Sequence, residues 1–356
     1  MRILVTGAAG FIGSHVLTAM LDAGHEVIAL DGLLPPVHSE AAWPDFVDER
    51  AERFIGDLRD PEVVDDALAG VGAVVHQAAL VGHGLDLQDL PLYAGLTDLG
   101  TAQLLAGMAR AQVSSLVLAS SMVVYGEGAY ACREHGPTVP RPRETADLEA
   151  GLFEPRCPSC GAFLDWTLVS EDAEKNPQSV YATSKLAQEH YAAAWSRGTG
   201  GSAYYLRYHN VYGPRMPLDS AYSGVAAIFR SRLAAGEAPL VFEDGGQMRD
   251  FVHVSDVARA NLLALDTIEA APEGGLPINI CSGQPRSVGW AAQLLSTELA
   301  GPSPVTTGQF RAADVRHVVA SPARARDSIG FETTVSPEDG FARFATEPTA
   351  QSSGNG

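Results

Sequence analysis

Gly7, Gly10 and Gly13 follow the apolar run Ile3-Leu4-Val5-Thr6 directly and open an amphipathic stretch over 11–23. Glycines at this spacing between a strand and a helix meet three separate steric needs. Gly7 permits a tight turn, Gly10 lets the backbone approach a ligand's phosphates, and Gly13 lets the helix pack on the strand. A helix that begins there turns free amide donors and the positive end of its dipole toward an anion. The arrangement predicts a strand–turn–helix unit that holds a dinucleotide. The second predicted strand, 26–31, ends on Asp31, at a suitable distance for a carboxylate that accepts from adenosine ribose hydroxyls. Gly32, Leu33 and Leu34 follow, with no arginine to receive a 2′-phosphate, so NAD is expected over NADP.

Further apolar runs at 53–55, 73–76, 115–120 and 203–208 alternate with helix-like segments at 61–68, 100–111 and 179–195. Strands alternating with helices of this length predict an α/β fold, a Rossmann-type doubly wound parallel sheet covered on both faces. After Tyr208 the pattern loosens into Pro/Gly-rich loops and shorter elements. The expected division is a dinucleotide-binding domain over 1–208, a smaller C-terminal α/β substrate-binding domain over 209–346, and a disordered tail over 347–356. Two stretches break the rhythm. Residues 33–48 read as a surface loop. Residues 126–176 carry Pro, Arg, Glu and two close cysteines without sustained periodicity, and an insertion of that length is usually functional or separately stapled.

The chain carries 24 Lys and Arg against 43 Asp and Glu, a formal net charge of −19. Such a surface repels phosphate polymers and anionic membranes, so neither nucleic acid nor a lipid surface is an expected partner. One small anion held by a few local arginines remains compatible with it. Four cysteines are too few for a disulfide framework in 356 residues. No apolar run approaches the ~20 residues needed to span a bilayer. The N-terminus enters a strand pattern at once, without a signal-peptide layout, and a cytoplasmic location is expected.

Only two of the basic residues are lysines, Lys175 and Lys185. Lys185 stands four residues after Tyr181 at the start of a helix-like segment, so phenol and ammonium share a face. A nearby positive charge favours phenolate and is expected to lower the tyrosine pKa from its usual ~10. That makes Tyr181 a candidate general acid or base. Tyr and Lys four apart on a helix are commonly structural; the scarcity of lysine and the upstream glycine turn favour function. Ser121 closes the fifth run in Ser120-Ser121-Met122-Val123, and carboxyl ends of parallel strands are where such sheets hold ligands. Ser121 is therefore expected to share the reacting hydroxyl's proton with Tyr181. Asp57, after the third strand, reads either as an adenine neighbour or as a helix N-cap before Pro61. Ala78 and Ala79 supply small residues where a dinucleotide crosses the sheet edge.

Five motifs occur in sequence: Thr6-Gly7…Gly10…Gly13, Ser121…Tyr125-Gly126, Tyr181…Lys185, Asn210-Val211-Tyr212-Gly213-Pro214-Arg215 and Arg249-Asp250-Phe251-Val252-His253-Val254. With these the chain resembles the extended short-chain dehydrogenase/reductases of the nucleotide-sugar epimerase/dehydratase family, from Met1 to about Phe344, apart from the stretch before Asn176. Loop sequences at 209–215, 221–229 and 242–247 most resemble its dTDP-L-rhamnose 4-epimerase branch, with UDP-sugar 4-epimerases as close relatives.

The resemblance implies a catalytic set of Ser121, Tyr181 and Lys185. It extends the NAD-binding set to Phe11, Ile12, Leu58, Ser120, Tyr208, Asn210 and Val211, alongside Tyr181 and Lys185. It places Ser121, Met122, Asn210, Arg215, Arg249 and Arg311 on a nucleotide-sugar substrate, with arginine forks suited to its diphosphate. It also implies a homodimer through the helices at 100–111 and 179–195. Two positions depart from the family pattern: Thr97 stands where asparagine is usual, and Ala313 where glycine is usual. The family's 4,6-dehydratases carry acidic residues in the two positions after the catalytic Ser/Thr. Here those are Met122 and Val123, which cannot transfer protons. Epimerisation at the sugar's fourth carbon through a transient 4-keto sugar is the expected reaction. The alternatives are a 4-ketoreductase and a non-catalytic dinucleotide-binding protein, the latter disfavoured by the retained Tyr/Lys pair.

Cys157-Pro158-Ser159-Cys160-Gly161 has the form of a zinc-knuckle half-site, and Cys132-Arg133-Glu134-His135 lies upstream in the same insertion. Together they offer a tetrahedral site of three sulfurs and one nitrogen, which would staple a loop that lacks a core. The alternative is reduced thiols without metal. Cys281 reads as an ordinary buried small residue.

Overall fold

Aliphatic and β-branched runs become parallel strands because their side chains fill both faces of a covered sheet. The computed structural model describes residues 1–35, 38, 41–82, 87–218, 224–311 and 314–349. The main strands are β1 (Arg2–Thr6), β2 (Glu26–Asp31), β3 (Glu52–Ile55), β4 (Ala73–His76), β5 (Ser115–Ser121), β6 (Ser202–Tyr208) and β7 (Leu276–Ile280). They form one parallel sheet in the order β7-β6-β5-β4-β1-β2-β3. Five helices cover it: α1 (Phe11–Asp22), α2 (Pro61–Ala67), α3 (Gly100–Ala111), α4 (Val180–Thr199) and α5 (Val254–Asp266). Ile3 and Val5 share one apolar core with Leu17 of α1 and Ala260 of α5. Leu4, on the opposite face, shares another with Val64 of α2, Leu104 of α3 and Trp195 of α4. Strand order reverses between β1 and β4, which opens a crevice at their carboxyl ends.

The sequence predicts β1 to β6 and α1 to α4 to within a few residues. It does not predict β7, which lies beyond position 208 yet pairs along its length with β6, from Leu276 opposite Tyr204 to Ile280 opposite Tyr208. With α5 packed against α1 as well, the parallel sheet and its cover are completed only by residues from the C-terminal part. Division at 208 therefore does not follow the sheet. Pro277 obscures this strand in the sequence, and it is tolerated because β7 lies at the sheet edge. A separate aromatic core holds the remaining C-terminal elements together, built from Tyr212, Phe229, Phe251, Phe341 and Phe344.

Residues 126–176 are more structured than their composition predicts. Ala129–Cys132 pairs antiparallel with both Gly136–Thr138 and Asp165–Thr167, and Thr145–Glu149 is helical. The loop at 33–48 is not wholly at the surface, because Val47 is buried in the α1 core. The start of the predicted tail is held: the Arg215 amide donates to the Pro348 carbonyl at 3.0 Å, and Arg230 donates to the Glu347 carbonyl. Residues 350–356 lie outside the described residues. Among the described residues no helix is long and apolar enough to cross a membrane.

The turn after β1 is steric in origin. Gly7 has φ +66°, and a Cβ on Gly13 would lie 1.9 Å from the Gly7 carbonyl oxygen. Gly13→Ala must therefore lift α1 from β1, at a cost of ~3 kcal/mol for a forced overpacking against backbone. Urea denaturation of the variant checks this, and an unchanged midpoint would contradict the packing account.

Candidate active site

The crevice between β1 and β4 widens into a cavity of about 520 Å³. Every residue expected on the cofactor lines it. Gly7, Gly10, Phe11, Ile12 and Gly13 come from the β1–α1 turn, Asp31 from the end of β2, Asp57 and Leu58 from after β3, and Ala78 and Ala79 from after β4. Ser120 (β5), Tyr181 and Lys185 (α4), and Tyr208, Asn210 and Val211 complete the set. Asp31 accepts from the backbone amides of Ala9 (3.0 Å) and Leu33 (2.9 Å), which fixes its carboxylate at the rim. Asp57 is paired with the Arg59 guanidinium at 2.5 Å, which holds its pKa below the usual carboxylate range. It is not a helix N-cap; Asp60 takes that place, accepting from the Glu62 amide at 2.9 Å. The side-chain oxygen of Asn210 is buried without a partner among the described residues, as a group awaiting a ligand's donor would be.

Neighbouring serines on β5 point to opposite sides, as successive strand residues must. The Ser120 hydroxyl donates to Glu189 at 2.5 Å, inside a buried ion pair of Glu189 with Arg207 (2.7 Å). Ser121 and Tyr181 both line the cavity, and the Ser121 hydroxyl lies near enough to the phenol to act on its pKa. Tyr181 sits in the first turn of α4, capped by Ser179, whose hydroxyl accepts from the Ala182 amide at 3.1 Å.

The expected lowering of the Tyr181 pKa is not found. Burial raises it to about 12, opposed by the nearby Ser121 hydroxyl. Lys185 does not offset this, because burial lowers its own pKa to about 7, with Glu189 acting the other way. Its amine donates to the Ala119 carbonyl (2.9 Å) and to Gln188 Oε1 (3.0 Å). Desolvation is the largest cause of both shifts, and neither group contributes to the other's.

Gln188 was not anticipated, although it stands three residues after Lys185 on the same helix face. Its amide donates onward to Thr101 Oγ1 at 2.7 Å, and Thr101 contacts His76, a buried imidazole lowered to about 3 by desolvation. The Thr97 departure resolves here. Ala94–Leu99 is a π-helical turn, the Thr97 hydroxyl accepts from the Leu80 amide at 3.0 Å, and Thr101 donates to the Thr97 carbonyl at 2.7 Å. A threonine thus ties the turn after β4 to the helix that supports Lys185. The Ala313 departure lies outside the described residues.

On the substrate side, Ser121, Met122 and Asn210 line the cavity, whereas Arg215, Arg249 and Arg311 are not in its described lining. Arg249 spends three N–H contacts on carbonyls: Met248 and Arg316 from Nη1 (2.8 and 2.9 Å) and Val315 from Nη2 (2.7 Å). Arg311 is exposed over the Phe242 ring, and Arg215 lies over Phe46. The chain from 219 to 223, between Leu218 and Gly224, is outside the described residues. The predicted metal ligands do come together: the ligand atoms of Cys132, His135, Cys157 and Cys160 all lie within 4.8 Å of one another.

The profile of the NAD dependent epimerase/dehydratase family matches residues 3–145 and 164–281, and the chain belongs to that family. It is 33% identical over 353 residues to a dTDP-L-rhamnose 4-epimerase of Burkholderia thailandensis, covering 97% of this chain and 94% of that protein. Its fold is similar to that of a Thermus thermophilus UDP-glucose 4-epimerase in complex with NAD, with TM-score 0.76 and 30% identity over 97% of this chain and 98% of that one. A Thermotoga maritima UDP-glucose 4-epimerase with UDP-glucose is similar too, with TM-score 0.77 and 28% identity over 97% of each chain.

A lysine whose folded pKa is depressed from 10.5 to about 7 binds fewer protons than its unfolded counterpart between those values. Stability then rises with pH across that window and loses the benefit below it. Native chain compared with Lys185→Met should gain on the order of 1 kcal/mol per pH unit from pH 7 to 9. Urea denaturation of both proteins at each pH measures the difference, and a flat difference would mean the amine stays charged.

Proposed function

We propose that this protein is an NAD-dependent nucleotide-sugar 4-epimerase acting on a dTDP- or UDP-linked hexose, a dTDP-6-deoxyhexose among the candidates. The observation that carries the reading is the Ser121–Tyr181 hydroxyl pair at the carboxyl end of β5, inside the cavity that the glycine turn walls. The residues present fit NAD. The glycine turn leaves room for a pyrophosphate at the start of α1, Asp31 is presented for ribose hydroxyls, and no arginine follows it. Bound there, NAD supplies the acceptor and donor of hydride.

The protein's own residues handle the proton. Tyr181 takes it from the sugar's 4-hydroxyl and returns it to the 4-oxygen after the face has changed. Ser121 shares the hydrogen bond and holds the oxygen in place. Lys185, anchored by Ala119 and Gln188, stands one helical turn beyond that phenol and lines the same cavity. Met122 and Val123 line the cavity next to Ser121 and carry no transferable proton, which disfavours loss of water. Asn210, Arg249 and Arg311, with Arg215, take the nucleotide diphosphate, so binding energy sits on the nucleotide and the sugar is free to turn. A homodimer through α3 and α4 and residence in the cytoplasm belong to the same reading. The dimer is supported by exposed Leu99, in the turn that leads into α3, and exposed Tyr191 on α4.

Incubation with a panel of dTDP- and UDP-hexoses, read by proton NMR, tests the proposal. Inversion at the fourth carbon is expected without added NADH. Stoichiometric NADH consumption with no inversion would make the protein a ketoreductase instead. Tyr181→Phe should lower kcat by about 10²–10⁴-fold, the usual worth of a positioned acid/base group, with KM little changed.

A further inference from the structure

We propose that Cys132, His135, Cys157 and Cys160 hold one zinc ion, and that this ion fixes the chain segment behind Arg249 and so shapes the nucleotide end of the substrate cleft. Cys132 Sγ lies 3.7 Å from Cys160 Sγ and 3.4 Å from His135 Nδ1, and Cys157 Sγ lies 3.7 Å from the same nitrogen. Zinc–sulfur and zinc–nitrogen bonds of ~2.3 and ~2.0 Å at tetrahedral angles put sulfurs ~3.8 Å apart and sulfur and nitrogen ~3.5 Å apart. The spacing is that of a coordination shell and too long for any disulfide.

Backbone amides surround the sulfurs as a thiolate requires. Those of Glu134 and His135 reach Cys132, those of Ser159 and Cys160 reach Cys157, and that of Ala162 reaches Cys160. Binding would release the thiol protons and leave four protein ligands, a closed set with no open position for catalysis. The insertion has only a small apolar cluster around these ligands. Its apolar cluster is Tyr130, Cys132, Cys157 and Leu164, so two of four members are ligands. Residues 146–163, which contain Cys157 and Cys160, fall between the two segments that match the family profile.

The ligands flank the residues that grip the substrate side. Two residues before Cys132, the Tyr130 hydroxyl accepts from the His317 amide at 3.1 Å and donates to half-buried Glu127. Three residues before Cys157, Glu154 accepts from Arg316 (2.6 Å) and His317 (2.8 Å). Arg143, also in the insertion, donates to Glu243 (2.7 Å) and to the Asp314 carbonyl (2.6 Å). Residues 314–317 are thus clamped on one side by the insertion. On the other side their carbonyls at Val315 and Arg316 orient the Arg249 guanidinium. Of its five N–H donors, the one on Nε and one on Nη2 are left for a ligand. The second half of the proposal rests on the reading that Arg249 meets the nucleotide diphosphate.

Metal content of the purified full chain tests the first half without any turnover. The native chain should carry about one zinc per chain, as a closed structural site does, and release it to a mercurial thiol reagent in the presence of a colorimetric chelator. Cys160→Ser should hold at least about five-fold less, and His135→Cys, which preserves a four-ligand set, should keep it. A native chain that purifies without zinc and takes up none from excess zinc salt overturns the site, whether or not the variants fold. For the second half, calorimetry with dTDP and UDP should show roughly ten-fold weaker binding in Cys160→Ser and in zinc-stripped native chain, with NAD content retained. Equal nucleotide affinity with and without zinc overturns the coupling. Failure of the native, zinc-loaded chain to bind either nucleotide overturns the nucleotide-sugar reading and leaves the metal count standing.

Discussion

The carbonyl oxygen of Gly7 occupies the space that a side chain on Gly13 would need, and the rest of the cleft follows from that contact. Hydrogen at position 13 lets α1 lie against the end of β1, and the start of the helix then faces the crevice where strand order reverses. The same turn places the Ala9 amide on the Asp31 carboxylate, which links the first two strands at the rim. From there the cavity wall passes from strand end to strand end across the sheet to Asn210 and Val211.

Behind this wall lies a set of buried polar groups that limit movement. Glu189 and Arg207 form an ion pair with side chains almost fully enclosed, and Ser120 and Tyr125 complete its hydrogen bonds. Removing one partner of such a pair leaves an uncompensated buried charge, so the groups stand or fall together. Lys185 is held differently, by a carbonyl and an amide oxygen, and burial brings its pKa down toward neutrality. The phenol of Tyr181 is raised by the same burial.

The acidic surface and the arginine-rich substrate side are reconciled locally. Arg316 is enclosed by Glu154, Glu243 and Asp244, and Arg143 by Glu243 and the Asp314 carbonyl. These arginines are neutralised inside the fold. Arg249 is met by carbonyls and keeps donors in reserve.

Composition and spacing were sufficient for the glycine turn, the six N-terminal strands, the residues that line the cavity and the Cys132, His135, Cys157 and Cys160 cluster. Each is signalled by short-range physics: glycine where backbone approaches backbone, period-two and period-3.6 apolarity, and cysteines two residues apart. Three features required the tertiary structure. β7 was hidden because an edge strand tolerates Pro277 and takes its identity from a partner some 70 residues away. The direction of the Tyr181 and Lys185 shifts was hidden because desolvation depends on what covers a group, which helix spacing does not report. The clamp of Arg143 and Glu154 on residues 314–317 joins segments more than 160 residues apart, and only packing of the insertion against the C-terminal part brings their charges within hydrogen-bonding distance.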